Sequence, residues 1–289
     1  MKTKNLKLYD LPGTKDINGN RKDKAYQNPK TWPKYQEDFE KFKSYLLNDK
    51  NSKVLLRVYD GEFWFLRREK VGNVGIRHVS NELTEDFVKP FYENSLKCEK
   101  FASHLTVMSG GKMNELYKSI YGNKKIDYPM EFHYAIVLNK WIFKNFKNQI
   151  GLIGGEEKIK VIKKLMTYSK YKEYLGIDYF TDYISVPEKL SCNEPKTLEE
   201  TIKKQLSNSK GKIFLFGIGI SKLYIACKFK DFHQAIYIDA GGTLSALSGF
   251  LTKKRPYAAK WTNFRIKDYD YSKLDPMDVT KKENIIYLD

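Results

Sequence analysis

Two carboxylate residues, Asp60 and Glu62, stand directly after a short apolar run, with a single glycine between them. The run at residues 53–59 predicts a buried strand, so this D-G-E segment is expected at the carboxyl end of that strand. Gly61 lets the backbone turn sharply there. Paired carboxylate oxygens at such a turn suit Mg²⁺ or Mn²⁺, whose coordination a diphosphate would complete. Arg57 could neutralise a phosphate or hold the carboxylates in place, although an ordinary Asp-Gly turn is the alternative interpretation.

A second candidate site follows the apolar run at residues 212–216. Gly217 and Gly219 are expected to form a glycine turn after this run, followed by a helix at 220–229 whose first turn contains Ser221 and Lys222. The backbone N–H groups of such a turn and the dipole of the helix together favour an anion. The order of residues matches neither a Walker A loop nor a complete G-x-G-x-x-G fingerprint. The segment is therefore either a diphosphate-binding turn or a tight strand-to-helix connection.

The third candidate site is Asp239, which ends the apolar run at residues 235–238 and is followed by Gly241 and Gly242. A carboxylate before a double glycine resembles the first motif of class I methyltransferases, in which the turn accommodates S-adenosylmethionine. That motif ends the first strand of its sheet and needs several βα units after it, whereas here residues 244–289 follow. A methyltransferase is therefore the least favoured interpretation, and Asp239 is a candidate catalytic carboxylate.

Short apolar runs alternate with longer amphipathic blocks along the chain. This alternation is typical of βαβ units and predicts an α/β fold, with a Rossmann-like, mostly parallel sheet flanked by helices. Residues 1–33 are expected to form an irregular N-terminal arm, and residues 34–289 a single domain. The expected strands are 53–59, 104–108, 149–153, 183–187, 212–216 and 235–238. The expected helices are 34–48, 63–70, 82–98, 112–121, 131–147, 156–170, 197–206, 220–229 and 243–250. Because ligands bind outside the carboxyl ends of parallel strands, the three candidate segments are expected at one edge of the sheet.

The chain is strongly basic, with a formal net charge of +17 from 52 Lys and Arg against 35 Asp and Glu. Few of these cations are Arg, whereas proteins that grip phosphates or read bases rely on the planar Arg guanidinium. Nucleic acid is therefore not the favoured partner, and the charge is interpreted as a Lys-rich surface or as a field that attracts anionic ligands. A polyanion- or nucleic-acid-binding α/β protein is the alternative function.

The three cysteines, Cys98, Cys192 and Cys227, are widely spaced. This spacing favours neither a disulfide framework nor a zinc site, and it fits a reducing compartment. The N-terminus lacks the apolar segment of a signal peptide. No apolar run has the roughly 18–20 residues that a membrane span needs. We therefore expect a soluble, cytoplasmic protein, for which peripheral contact with a membrane is still open.

Three segments together resemble bacterial glycosyltransferases of the GT-D fold: R-x-x-D-G-E at 57–62, F-G-I-G-I-S-K-L at 216–223 and A-I-Y-I-D at 235–239. In that family a D-x-E motif binds a divalent metal and the diphosphate of a nucleotide sugar. The resemblance implies that Asp60 and Glu62 are metal ligands, with Mn²⁺ or Mg²⁺ as the cofactor. The residues expected to bind the donor and its diphosphate are Arg57, Gly217, Gly219, Ser221, Lys222, Gly241 and Arg255.

The sequence departs from the family pattern at two positions. Tyr59 stands where the family usually has glycine, which narrows the approach to Asp60. Gly242 stands where a histidine is common, so any contact from that side chain is lost.

The expected function is that of a metal-dependent glycosyltransferase. It would move a sugar from a nucleotide sugar, expected to carry UDP, to a glycan or glycoconjugate acceptor. The metal would act as a Lewis acid on the leaving diphosphate, and Arg255 would add positive charge there. An inverting reaction also needs a base near the acceptor hydroxyl. The candidate bases are Glu62, Asp239 and His78.

Overall fold

The computed structural model describes residues 32–48, 51–72, 74–103, 111–250, 261–274 and 285–289. Seven strands form its central sheet: β1 (Lys53–Arg57), β2 (Lys100–Ser103), β3 (Tyr128–Pro129), β4 (Ile150–Gly155), β5 (Asp182–Val186), β6 (Ile213–Gly217) and β7 (Ile236–Asp239). Their order is β3-β2-β1-β7-β6-β4-β5, and every pairing in this sheet is parallel. The predicted α/β class with a parallel, Rossmann-like sheet is confirmed.

Helices alternate with these strands along the chain. The α-helices are α1 (Trp32–Asn48), α2 (Asp60–Leu66), α3 (Glu85–Ser95), α4 (Gly111–Tyr121), α5 (Glu131–Leu138), α6 (Trp141–Asn145), α7 (Glu156–Leu165), α8 (Ser169–Leu175), α9 (Pro195–Leu206), α10 (Lys222–Ile225), α11 (Phe229–Phe232) and α12 (Thr243–Leu247). A π-helical turn covers Val74–His78, and a 3₁₀ turn at Gly219–Ser221 leads into α10. None of the helices in the described ranges has the length and apolar character to cross a membrane.

The sheet buries apolar side chains on both of its faces, because successive residues of a strand point to opposite sides. In β1, Leu55 belongs to one apolar cluster together with Phe39 of α1 and Phe132 of α5. Its neighbours Val54 and Leu56 belong to the cluster on the other face. Burial on both faces is what makes these strands continuous apolar runs in the sequence.

The three strands that carry the candidate segments, β1, β7 and β6, are neighbours in the middle of the sheet. Leu55 of β1 pairs with Ile238 of β7, which pairs in turn with Leu215 of β6. Asp239, at the end of β7, lies opposite Phe216 of β6. The carboxyl ends of the three strands therefore lie side by side, as the sequence predicts.

The helix expected at 220–229 is instead a series of short helical turns. Both α10 and α11 have four residues. The side-chain amide of Asn94, on α3, donates a hydrogen bond of 2.9 Å to the carbonyl oxygen of Tyr224. All four residues of α10 are buried. Tertiary contacts therefore set the conformation of this segment, and they override its helical periodicity.

Two other expected helices are interrupted. The helix expected at 131–147 is divided into α5 and α6, because Lys140 adopts the left-handed conformation with φ of 64°. The helix expected at 156–170 ends at Leu165, and α8 begins at Ser169.

Some of the structure was not anticipated by the sequence. Strands β8 (Asn263–Ile266) and β9 (Ile285–Leu288) form a separate two-stranded parallel sheet. The ring of Phe264, on β8, meets the ring of Tyr171 edge-on at a centroid distance of 5.5 Å. This contact joins the small sheet to the apolar cluster of the large one.

Strand β2 and the start of helix α1 also differ from the expected elements. Strand β2 was not predicted, and the strand expected at 104–108 lies outside the described residues. Helix α1 begins at Trp32, inside the stretch assigned to the arm, and residues 1–31 lie outside the described residues.

The surroundings of Gly151, on β4, show how tightly the sheet is packed. It lies beside Phe214 of β6, its partner in register. A Cβ atom at position 151 would stand 2.5 Å from the ring carbon Cδ1 of Phe214. We expect Gly151→Ala to lower the free energy of unfolding by about 1–3 kcal/mol, because overpacking a rigid core forces side chains away from their preferred rotamers. Chemical denaturation of the purified protein measures this change.

The double variant Gly151→Ala/Phe214→Leu is the control, since leucine leaves room for the added methyl group. Its loss of stability should be smaller than the sum of the losses of the two single variants. Strict additivity would show that the Phe214 ring is not what excludes a side chain at position 151.

Candidate functional site

Four charged side chains meet where β1, β7 and β6 end. The ammonium group of Lys222 lies 2.7 Å from Glu62 Oε1 and 2.7 Å from Asp239 Oδ2. Arg57 Nε lies 3.7 Å from Asp239 Oδ1, and the backbone N–H of Arg57 donates a 3.2 Å hydrogen bond to Asp239 Oδ2. The side chains of Lys222 and Asp239 are each 1% exposed. The structure therefore brings these four predicted residues together, in a buried cluster of two cations and two anions.

The D-G-E segment forms the first turn of α2, and this turn separates its two carboxylates. Glu62 is the third residue of the helix, and its Oε2 accepts a 2.9 Å hydrogen bond from the backbone N–H of Tyr59, which caps the N-terminus of the helix. Asp60 is the first residue of the helix and is exposed. Its Oδ1 accepts a 2.8 Å hydrogen bond from the backbone N–H of Gly61. The segment thus presents one carboxylate to solvent and turns the other inward.

Two glycines allow charged or aromatic side chains to approach the backbone here. Gly219 has φ of +62°, and a Cβ atom at this position would stand 2.6 Å from Nδ1 of the His78 imidazole. Gly241 has φ of +48°, and its Cβ atom would stand 2.9 Å from Cζ of the Arg57 guanidinium. Glycine is required at both positions because of the left-handed backbone and the close approach.

Other residues predicted to bind the donor have different surroundings. The hydroxyl of Ser221 is buried and donates a 2.6 Å hydrogen bond to the Ile218 carbonyl oxygen, so it already has an acceptor within the turn. Gly217 lies against the backbone of Gly241, which brings the two glycine turns together. The helix after Ser221 has four residues, so the helix dipole that was expected to attract an anion is short. Arg255 lies outside the described residues.

The charge state of Asp239 follows from its neighbours. Burial by itself would raise its pKa, but the positive charges of Lys222 and Arg57 outweigh burial and hold the pKa below its usual value. A carboxylate that is buried, ionised and paired in this way is a weak acceptor of a proton from a substrate hydroxyl. The expected role of Asp239 as catalytic base therefore does not fit its position, and its position fits a structural charge.

His78 is the least constrained of the three candidate bases. Burial lowers its pKa to about 4, so the imidazole is neutral near pH 7, although the same shift makes it a weaker base than an ordinary histidine. It lies at the end of the π-helical turn, a type of turn that is frequent at functional sites. It packs against the Gly219 turn, and no described residue hydrogen-bonds its ring. Among the three expected bases, His78 is the one whose side chain is not tied into the ion pairs with Lys222.

His133, on α5, contacts the backbone of Asp239 at the end of β7, and the sequence patterns did not single it out. Its Nδ1 and the Asp239 carbonyl oxygen are 3.0 Å apart, which makes Nδ1–H the donor. Its Nε2 is buried and has no hydrogen-bond partner within the described residues. Burial lowers the pKa of His133 to about 4. The ring therefore supports the end of β7 as a neutral hydrogen-bond donor, and a single histidine in an apolar helix carried no signal of this.

A second charged cluster, which the sequence did not predict, lies at the ends of β4 and β5. Lys158 and Arg77 both pair with Glu188 Oε1, and the Arg77 Nη2 is 3.5 Å from it. The same Arg77 nitrogen donates a 3.2 Å hydrogen bond to the Leu274 carbonyl oxygen. Since Arg77 and His78 are consecutive, the π-helical turn contributes a residue to each cluster.

The residues present fit a divalent metal through Asp60 and not through Glu62. Both oxygens of Glu62 are already bonded, one to Lys222 and one to the backbone of Tyr59. No group of three His, Cys, Asp or Glu that could hold a metal occurs in the described ranges. Mg²⁺ is commonly held by one or two carboxylates together with the phosphates of a substrate. Asp60 and a bound diphosphate would form such a site. Glu62 is not available as the second ligand of the expected pair, because both of its oxygens are already bonded.

The comparisons with known proteins give one structural similarity. The chain is similar to a glycosyltransferase from Streptococcus sanguinis, with 11% sequence identity, a TM-score of 0.46, and coverage of 86% of this chain and 97% of that chain. No family model and no curated protein matches the sequence.

The buried histidine should make stability depend on pH. Above pH 6.5, the ordinary pKa of histidine, neither the folded nor the unfolded chain protonates His133. As the pH falls from 6.5 towards about 4, the unfolded chain takes up a proton at this position and the folded chain does not. We therefore expect the free energy of unfolding to decline across this window, with His78 contributing in the same direction. Denaturation curves recorded at a series of pH values measure the slope.

His133→Asn is the matched variant, because the asparagine amide can donate to the Asp239 carbonyl oxygen but does not titrate. Its stability should depend less steeply on pH between 4 and 6.5 than that of the unchanged protein. Equal slopes in the two proteins would show that His133 is not responsible for the pH dependence.

Proposed function

We propose that the chain transfers a sugar from a nucleotide sugar, expected to carry UDP, to a glycan or glycoconjugate acceptor. The observation that carries the proposal is the meeting of the three segments 57–62, 216–223 and 235–239 at the carboxyl ends of three adjacent strands. These are the segments on which the resemblance to GT-D glycosyltransferases rests. This edge is also where parallel α/β sheets bind their ligands.

The donor diphosphate is proposed to lie beside Asp60 and the turns that contain Gly217, Gly219 and Gly241. Asp60 is proposed to hold Mn²⁺ or Mg²⁺ together with the diphosphate. The metal would supply positive charge to the leaving diphosphate. Arg57, whose side chain is 14% exposed, adds a fixed guanidinium at the same edge. Fixed positive charge near the diphosphate favours the transition state, in which negative charge builds on the leaving group.

His78 is proposed as the base in an inverting transfer. The acceptor hydroxyl oxygen forms a bond to the anomeric carbon, and the bond from that carbon to the diphosphate oxygen breaks. The hydroxyl proton moves to the neutral imidazole, and the bonding electrons leave with the diphosphate. The position of His78 against the Gly219 turn, on the same edge as Asp60, supports this role.

The two alternative functions, methyl transfer and polyanion binding, differ in how well the observations support them. A methyltransferase would need the carboxylate at the end of β7 to bind its cofactor, but Asp239 is buried and paired with Lys222. Polyanion binding is still supported by the net charge of +17. It predicts affinity that falls steeply with salt and does not depend on Asp60.

A panel of nucleotide sugars with Mn²⁺, followed by thermal shift, tests the proposal. We expect one UDP-sugar to raise the melting temperature, since a ligand at 100 times its Kd stabilises the folded state by about 2.7 kcal/mol. Asp60→Ala should abolish this shift and the Mn²⁺-dependent hydrolysis of the same sugar. Glu173→Ala, which removes an exposed carboxylate from α8, is the matched control and should leave both unchanged.

Two results would count against the enzyme. One is a complete lack of stabilisation across the panel. The other is salt-sensitive binding of heparin or nucleic acid that Asp60→Ala leaves unchanged, which would favour the polyanion-binding alternative.

A further inference from the structure

The ammonium group of Lys222 stands where two carboxylates converge. It is within hydrogen-bond distance of both Glu62 and Asp239, at 2.7 Å in each case, and its side chain is 1% exposed. A cation held between carboxylate oxygens takes the kind of position that a divalent metal takes in a carboxylate site. The protein therefore carries its own cation at the point where the two acidic segments meet.

Glu62 has no remaining oxygen for a metal ion. Oε1 is paired with Lys222, and Oε2 accepts the capping hydrogen bond from Tyr59. A metal ion at Glu62 would have to displace either the buried ammonium or the cap of α2. Displacing one partner of a buried charge pair is costly, because the other partner is left uncompensated.

The charges of the cluster are already balanced. The carboxylates of Glu62 and Asp239 face the cations of Lys222 and Arg57. A divalent ion added among these buried groups would leave an excess of two positive charges in a medium of low polarity, where uncompensated charge is unfavourable. This buried cluster is therefore a poor site for a second cation.

Asp60 differs from Glu62 in each of these respects. It is exposed, and its Oδ1 accepts a short-range hydrogen bond from the backbone N–H of Gly61. Exposed carboxylate oxygens can join a shell that substrate phosphates and water complete.

We propose that Lys222 takes the place of a metal ion between Glu62 and Asp239, so that the D-G-E segment offers one metal ligand, Asp60, instead of two. A divalent cation then binds together with the nucleotide diphosphate, and the protein alone holds it weakly. Glu62 is a positioning residue, which fixes the first turn of α2 and with it the place of Asp60. This inference rests on the proposed function for the identity of the diphosphate ligand.

The matched pair Asp60→Asn and Glu62→Gln tests which carboxylate binds the metal. Mn²⁺ is titrated into each protein in the presence of UDP, and its binding is followed by calorimetry and by the electron paramagnetic resonance signal of free Mn²⁺. Asp60→Asn should weaken Mn²⁺ binding at least about tenfold, equivalent to about 1.4 kcal/mol. Glu62→Gln keeps a carbonyl oxygen that can accept from the Tyr59 N–H and so retains the turn that places Asp60. It should leave Mn²⁺ binding within about threefold of the unchanged protein, a difference below 1 kcal/mol. An equal loss in both variants would overturn the proposal.

Removing the ammonium group of Lys222 gives a second, independent test. Without nucleotide, the unchanged protein should bind Mn²⁺ weakly, and Lys222→Ala should bind it more tightly, because Glu62 and Asp239 become available as ligands. Circular dichroism establishes that the variant is folded. A folded Lys222→Ala protein with the same Mn²⁺ affinity as the unchanged protein would contradict the inference. If this variant does not fold, the comparison of Asp60→Asn with Glu62→Gln decides.

The two tests separate this inference from the proposed function. If UDP and nucleotide sugars fail to bind, the glycosyltransferase proposal falls, and the titration of Lys222→Ala with Mn²⁺ alone still decides the role of Lys222. If UDP binds and Glu62→Gln abolishes Mn²⁺ binding, the glycosyltransferase proposal stands and this inference falls.

Discussion

Lys222 sits between Glu62 and Asp239, and through these contacts it joins three parts of the chain. Each of the three charges is buried, so none can leave the cluster without exposing another to an apolar environment. Removing one partner of such a pair typically costs about 3–5 kcal/mol, although the intact pair contributes little net stability. The cluster therefore acts mainly by selecting one arrangement of the ends of β1, β6 and β7. The turns around it follow from that arrangement.

The two carboxylates of the D-G-E segment have opposite environments, although one residue separates them. The first turn of α2 accounts for this difference, because its first residue faces solvent and its third accepts the hydrogen bond from the backbone N–H of Tyr59. Asp60 is thereby free to meet a ligand, whereas Glu62 holds the turn in place. The π-helical turn adds His78 to the same edge and Arg77 to the cluster around Glu188. Charged groups thus surround the edge, and the cations of Lys222 and Arg57 at its centre face the carboxylates of Glu62 and Asp239.

Sequence reasoning located the sheet and its edge, because continuous apolar runs followed by Gly or Asp mark the ends of buried parallel strands. It could not assign Lys222, since a lysine after a glycine turn has the same local pattern whether it binds a phosphate or pairs with Asp239 from a neighbouring strand. The broken helix at 220–229 accepts a hydrogen bond from the amide of Asn94, which is distant in sequence. His133 and Glu188 were missed for the same reason: their roles come from tertiary neighbours that periodicity does not encode.

The strand order has a consequence for how the chain folds. The last strand of the large sheet, β7, lies at its centre, between β1 and β6. Arg57 and Asp239, which meet across this junction, are 182 positions apart in the sequence. Closing so long a loop costs entropy before any contact is gained, and it slows folding in topologies dominated by distant pairings. The halves β1–β3 and β4–β6 can each form local contacts first, but they become one sheet when β7 enters. The same pairing brings Asp239 to Lys222, so completing the sheet also assembles the site.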